Sequence, residues 1–132
     1  MRVEASIVDG PLAPAAAFHA DGAGSLLVFE GVVRPREGDR DIGALDYTAY
    51  DPMALRQLER LARDVAERFG LLALRVEHSR GRVPVGACSF RLAVASPHRK
   101  ESLAAIDEFI DRLKRDVPIW KSPPGLPRPP GP

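Results

Sequence analysis

Basic side chains gather at the two ends of one stretch of the chain, residues 96–121. His98, Arg99 and Lys100 come at its beginning, and Lys114 and Lys121 lie toward its end. If the stretch is helical, the first three stand beside the free backbone N–H groups of the first turn, where helices bind anions such as phosphate. The alternative from spacing alone is a solvated surface, with Lys114 merely complementing the helix dipole.

The residues between these clusters predict the helix that positions them. Four apolar side chains repeat at intervals of three and four residues, which places them on one face: Leu103, Ile106, Ile110 and Leu113. Ser96 is the expected N-cap and Pro97 the first helical residue, where no backbone N–H is required. Pro118 ends the helix and favours an extended conformation at Val117.

The length of this helix separates the two basic clusters. Lys114 follows Arg99 by fifteen residues, which is about 22 Å at the 1.5 Å rise of an α-helix. One small molecule cannot contact both clusters of a single straight helix. Either the clusters bind different ligands, or a second copy of the chain brings one end against the other, as a two-fold dimer does.

Two segments in the first half of the chain predict strands joined by a polar loop. Residues 24–33 are largely apolar and are predicted to form a strand buried on both faces, with Gly31 marking a bulge or a close approach. Residues 44–50 alternate in polarity as a second strand. The polar residues 34–43 predict a long hairpin connection between them. A short strand at 2–8 and a short helix at 12–20 precede this hairpin.

The second half of the chain adds a scaffold helix and two more strands. The helix at 51–70 opens at Asp51-Pro52 and closes at Gly70, and strands follow at 72–79 and 87–95. His78 lies on the apolar face of the first strand, where a hydrogen-bonded core or edge histidine is more common than a catalyst. Cys88 is predicted to be a small buried residue without a chemical role.

Together these elements predict an α+β fold, a single domain with a mixed or antiparallel sheet and two main helices. The 132 residues of the chain suffice for one domain with its own core. Residues 1–121 are assigned to this domain. Residues 122–132 form a proline-rich tail, which is predicted to stay outside the core.

Composition argues against several classes of function. The net charge is only +1, and the basic residues of 96–121 are interleaved with acidic ones, which argues against a nucleic-acid binder. No apolar run is long enough to span a bilayer. The chain has one cysteine, and its first residues lack the apolar region of a secretory signal. We therefore expect a soluble cytoplasmic protein.

Several separated motifs, in the same order, resemble the large (catalytic) subunit of molybdopterin synthase. They are FEGVVRPREGDRDIGALDYTAYDPMA (29–54), HSRGRVPVGACSF (78–90), ASPHRKES (95–102) and IDRLKRDVPIWK (110–121). The resemblance covers residues 24–121 and implies an α/β-hammerhead fold with an added small sheet. It also implies an enzyme of molybdenum cofactor biosynthesis, with no cofactor or metal of its own.

The resemblance implies a sulfur-transfer reaction and a set of site residues. A small ubiquitin-like subunit carries sulfur as a C-terminal thiocarboxylate, and the sulfur passes to cyclic pyranopterin monophosphate to form the dithiolene of molybdopterin. Lys114 and Lys121 match the catalytic lysines near the partner's terminus, where an amine can hold a carboxylate, move a proton or form an adduct. The matched substrate-binding residues are Val32, Val33, Arg34, His98, Arg99 and the same two lysines.

The resemblance also implies an assembly and leaves one alternative. The family forms a homodimer that binds two small subunits as a heterotetramer, with His98 and Arg99 across the dimer interface from the lysines. After Lys121 the family continues with an acidic residue and a further segment, whereas this chain continues with Ser122-Pro123. The alternative is therefore a non-catalytic homologue that keeps the dimer and the partner groove but lacks turnover.

Overall fold

The computed structural model describes residues 1–125. Its elements, in chain order, are β1 (Arg2–Asp9), β2 (Ser25–Val32), β3 (Arg36–Glu37), β4 (Arg40–Asp41), β5 (Ala44–Ala49), α1 (Met53–Arg68), β6 (Ala73–Pro84), β7 (Cys88–Ser96), α2 (Arg99–Asp116) and β8 (Ile119–Ser122). Most of the predicted tail, residues 126–132, lies outside the described residues. Neither α1 nor α2 is long and apolar enough to cross a membrane.

One mixed sheet of six strands carries the fold. Its main path runs β2-β7-β6-β5-β8 with antiparallel neighbours, and β1 pairs in parallel with residues 73–80 of β6. The strands β3 and β4 form a separate two-stranded sheet. The prediction of an α+β domain with a mixed sheet and two main helices is confirmed.

Both helices pack on one face of the sheet and enclose the main core. Leu58 and Val65 of α1 and Phe109 of α2 are fully buried against Leu74 and Leu92 of the central strands. Burial of such side chains favours folding by about 25 cal/mol for each Å² of apolar surface removed from water.

The buried face of α2 is rotated from the predicted apolar stripe. Ser102, Ala105 and Phe109 are buried at its centre, whereas Leu103 is 56% exposed. Successive helical residues are about 100° apart, so Leu103 points away from a face centred on its neighbour Ser102. The stripe was therefore wrong at Leu103, although Ile106, Ile110 and Leu113 do pack against the core.

The start of α2 also differs from the prediction. The helix begins at Arg99 with His98 at the N-cap position, not at Pro97 after Ser96. Ser96 Oγ donates to the carbonyl oxygen of His98 at 2.5 Å and lies 2.5 Å from Ser102 Oγ. Its hydroxyl is thus buried between two partners and does not cap the helix.

The predicted hairpin between residues 24–33 and 44–50 is wrong. The strand β2 pairs with β7, and β5 pairs with β6 and β8. The loop between β2 and β5 instead folds on itself as β3 and β4. The predicted burial of β2 on both faces is also wrong, because β2 is an edge strand that leaves Leu26, Val28 and Val32 about half exposed.

Residues 12–20 do not form the predicted helix. Arginine side chains from the sheet bind their backbone carbonyl groups instead. Arg91 Nη2 donates to Ala13 O at 2.8 Å, and Arg2 Nη2 donates to His19 O at 2.9 Å. Pro14 supplies no backbone N–H for a helix, and these external donors satisfy carbonyl groups of the non-helical segment.

Arg91 is the most enclosed charged side chain of the sheet, with only 5% of its surface exposed. Its guanidinium reaches Glu30 Oε2 at 2.8 Å and Glu77 Oε1 at 3.1 Å, besides the carbonyl of Ala13. It thereby ties the edge strand β2 and the segment 12–20 to the centre of the sheet.

We predict that Arg91→Gln lowers the free energy of unfolding by about 3 kcal/mol, because it leaves two carboxylates without their buried partner. Chemical denaturation measures this loss. Arg82→Gln is the matched control: Arg82 binds Asp46 through two N–H groups but is largely exposed, so its loss changes stability little. Equal effects of the two substitutions would contradict this account of Arg91.

Candidate active site

The site lies at the corner where α2 ends and the chain turns into β8. Val117 is extended, with φ −96° and ψ 124°, as predicted from Pro118. The chain then reverses into β8, which pairs with β5 and sets Lys121 opposite Tyr47. Lys114 lies on the last turn of α2. A helix end and the strand that follows it thus present two amines on one side of the domain.

This corner borders an open cavity of about 510 Å³ between α2 and the main sheet, including β8, within the usual size of a ligand site. The polar side chains that line it are Tyr47, His78, Ser89, Lys114 and Lys121. The apolar ones are Phe29, Phe90, Ile110, Leu113, Ile119 and Trp120. The cavity therefore combines apolar walls with two cations, which suits an extended chain that ends in an anion.

The two lysines differ in their surroundings. Lys121 Nζ lies 3.2 Å from Glu37 Oε1 on β3, so the small second sheet contacts the site through an ion pair. Within residues 1–125, Lys114 has no ion-pair or hydrogen-bond partner. Lys114 is an exposed residue that borders the cavity, so its amine is accessible to an anion that enters there.

Gly31 forms part of the cavity wall at a bulge. The register between β2 and β7 shifts between Gly31 and Val32. A Cβ atom on Gly31 would lie 3.4 Å from Cβ of Phe90. The prediction of a bulge or a close approach at Gly31 agrees with this register shift, which leaves Ser89 of β7 unmatched where the edge strand meets the cavity.

Sequence reasoning did not assign His78 to the site. The side chain is buried, and its Nδ1 lies 2.8 Å from the carbonyl oxygen of Ser79, so the predicted hydrogen-bonded core histidine is confirmed. Its ring also lines the cavity beside Tyr47, whose hydroxyl lies 2.9 Å from Ser89 Oγ. Burial lowers the pKa of His78 below its usual 6.5, against the opposing effect of the Ser79 hydrogen bond.

The other residues matched by resemblance lie outside this cavity in the single chain. His98 and Arg99 are exposed at the far end of α2, and Arg34 is exposed where β2 ends. Val32 is half exposed on the edge strand, whereas Val33 is buried in a small second core. One chain therefore brings Lys114 and Lys121 together but does not bring His98, Arg99 or Arg34 to the same cavity.

Cys88 does not line the cavity. It is partly exposed, not buried as predicted, with its Sγ 3.3 Å from the carbonyl oxygen of Phe90. Partial burial raises the pKa of its thiol, so it lacks the setting of a reactive cysteine. In residues 1–125 no group of three or more His, Cys, Asp or Glu side chains is arranged to hold a metal ion.

The lowered pKa of His78 predicts a loss of stability in mild acid. The unfolded chain binds a proton at this histidine near pH 6.5, whereas the folded chain resists it. The stabilisation is complete above that pH and is lost as the pH falls through the folded pKa. Urea unfolding between about pH 7.5 and 5.5 measures it. His78→Phe should weaken the dependence and His19→Gln should retain it, and an unchanged dependence in His78→Phe would refute the assignment.

Known proteins are similar to this chain in sequence. The MoaE protein family matches residues 7–116. The molybdopterin synthase catalytic subunit of Coccidioides immitis is 35% identical over 133 residues, which cover 98% of this chain and 68% of that protein. Other curated molybdopterin synthase catalytic subunits are longer, and the chain spans between 28% and 66% of their length.

Solved structures agree with this result. The crystal structure of molybdopterin synthase from Staphylococcus aureus superposes with a TM-score of 0.76 at 30% identity, covering 87% of this chain and 86% of that one. A complex of subunits 1 and 2 of the molybdopterin-converting factor from Helicobacter pylori superposes with a TM-score of 0.70 at 25% identity, covering 90% and 83%. By its sequence and its fold, this chain belongs to the MoaE family, that of the molybdopterin synthase catalytic subunits.

Proposed function

We propose that this chain is the catalytic subunit of a molybdopterin synthase and acts as a sulfurtransferase. It transfers sulfur from the C-terminal thiocarboxylate of a small ubiquitin-like carrier subunit to cyclic pyranopterin monophosphate. The observation that carries this proposal is the cavity in which Lys114 and Lys121 converge within a chain of the MoaE family. We place the protein in the cytoplasm because its single cysteine requires no oxidising compartment.

The cavity suits the tail of the carrier subunit. Apolar walls that include Phe29 and Trp120 accommodate an extended peptide, and the two ammonium groups attract its charged end. Lys114 is the stronger candidate for direct action on the thiocarboxylate, because Lys121 is already paired with Glu37. The Helicobacter pylori complex of subunits 1 and 2 of the molybdopterin-converting factor supports a partner of this kind.

The phosphate side of the site is proposed to come from a second copy of the chain. His98 and Arg99 stand at the start of α2, about 22 Å from Lys114 along the helix axis. In a two-fold dimer, this end of one chain faces the lysine end of the other. Arg34 and Val32 complete the substrate-binding set, and Val33 holds the end of β2 through backbone hydrogen bonds with Ala87 and Gly86.

The edge strand β2 offers a surface for this assembly. Leu26, Val28 and Val32 form an exposed apolar row on an edge strand, and such a patch marks an interaction surface. We propose that a homodimer carries one small subunit on each copy and thus forms a heterotetramer.

Reconstitution with thiocarboxylated carrier and cyclic pyranopterin monophosphate tests the activity. We expect the wild type to form molybdopterin and Lys114→Ala to lose at least about 100-fold of that rate, as removal of a group acting on the reacting centre does. Arg115→Ala is the matched control, because Arg115 is the next residue along α2 but does not line the cavity and pairs with Asp116. It should retain wild-type activity.

The same assay separates catalysis from the alternative of a non-catalytic homologue. If the wild-type chain binds the carrier subunit but releases no molybdopterin, the binding-subunit interpretation replaces the proposed one. If Lys114→Ala binds the carrier and keeps full activity, the proposed role of Lys114 is wrong.

Mixed dimers test whether the site is shared between chains. His98→Ala and Lys114→Ala should each be inactive alone. In a heterodimer, one of the two composite sites keeps both wild-type groups, so a mixture should recover about a quarter of the wild-type activity when subunits exchange at random. Mass spectrometry verifies that heterodimers form. Their formation without recovery would show that each site is contained in one chain.

A further inference from the structure

His78 is a polar group in the cavity for which the proposed function has no use. It lies on β6, between β7 and β5 in the sheet, with only 7% of its surface exposed. The lysines reach the same cavity from α2 and β8. A buried imidazole beside two amines in one cavity is a candidate for proton transfer.

The hydrogen bonding of His78 assigns its tautomer. A carbonyl oxygen only accepts, so the contact of Nδ1 with Ser79 O places the proton of the neutral ring on Nδ1. The lone pair is then on Nε2, which has no hydrogen-bond partner among the described residues. Among residues 1–125, the buried side-chain N and O atoms that have neither a hydrogen-bond partner nor exposure to solvent include Glu101 Oε2 but not His78 Nε2. Since Nε2 has no partner, it must therefore be accessible, and the ring of His78 lines the cavity.

Packing holds this ring in a fixed orientation. The ring of Tyr47 stands edge-on to it with centroids 5.3 Å apart, and that of Phe90 does so at 5.9 Å. The ionisable groups that line the cavity with it are Tyr47 on β5, Lys114 on α2 and Lys121 on β8. Because burial lowers its pKa, the ring is neutral near pH 7 and can accept a proton.

The proposed function, on which this inference rests, creates a need for such a group. Once sulfur from the carrier bonds to the substrate carbon, the carrier's terminal carbonyl carbon remains attached to that sulfur as a thioester. Release requires a water oxygen to bond to the carbonyl carbon and the carbon–sulfur bond to break. The water loses a proton and the departing sulfur gains one, so the step yields a carboxylic acid, which ionises, and a thiol, without any oxidant or reductant.

We propose that His78 Nε2 accepts the proton of this water and returns it to the departing sulfur. The lysines attract the anionic ends, whereas His78 supplies a neutral nitrogen with a lone pair that can accept a proton. The role requires the Nδ1–H tautomer, which the Ser79 carbonyl holds.

Single-turnover reconstitution with His78→Gln and His78→Phe tests the proposal. Both variants should slow product release about 100-fold, the usual contribution of a general base. Intact-mass spectrometry should show the carrier joined to the substrate through sulfur accumulating in the variants but not in the wild type. The wild-type release rate should fall as the pH drops through the lowered pKa of His78, and the variants should lack this dependence. His19→Gln changes an exposed histidine that does not line the cavity, and this control should behave as wild type.

The outcomes separate the two hypotheses. Release at the wild-type rate in both variants, or slower turnover with lower thermal stability and no accumulated adduct, overturns the role of His78. A wild-type chain that makes no molybdopterin overturns the proposed function, and this inference with it. Ring nitrogen NMR of the assembled wild-type protein gives an independent check, because protonation at Nε2 instead of Nδ1 in the neutral state also overturns it.

Discussion

The reversal of the chain at Pro118 is the constraint on which the site depends. A helix that continued past this point would carry Lys121 away from the sheet along the α2 axis. Proline supplies no backbone N–H and disfavours a helical residue before it. Val117 is accordingly extended, and the chain turns into β8 alongside β5. Two lysines seven residues apart in sequence thereby reach one cavity.

The length of α2 is the second constraint, and it links the site to assembly. The helix is a rod that holds one basic cluster near the cavity and the other about 22 Å away. The apolar row on the edge strand β2 is a further feature that the isolated chain leaves incomplete. Both features support the proposal that a second copy of the chain completes the site.

Local patterns predicted much of the fold, because helices and strands depend on periodicity and on residues that start or stop them. Both main helices, the bulge at Gly31 and the extended Val117 follow from such signals. The helix predicted at residues 12–20 does not form for the opposite reason, because the arginines that bind the carbonyl groups of this segment come from distant parts of the chain. The predicted burial of Leu103 is wrong for the same reason, since several faces of α2 carry apolar residues and only packing selects the buried face.

Most of the helices and strands, the two basic clusters, their separation along α2 and the family resemblance follow from local patterns in the sequence, although residues 12–20 do not form the predicted helix. The pairing of distant segments places β2 at the edge of the sheet and β5 between β6 and β8, and it brings His78 to the cavity that the two lysines also line. The physical reason is that a local pattern specifies which face of an element is apolar. It does not specify which distant element covers that face, and a cavity exists only between elements that pairing has brought together.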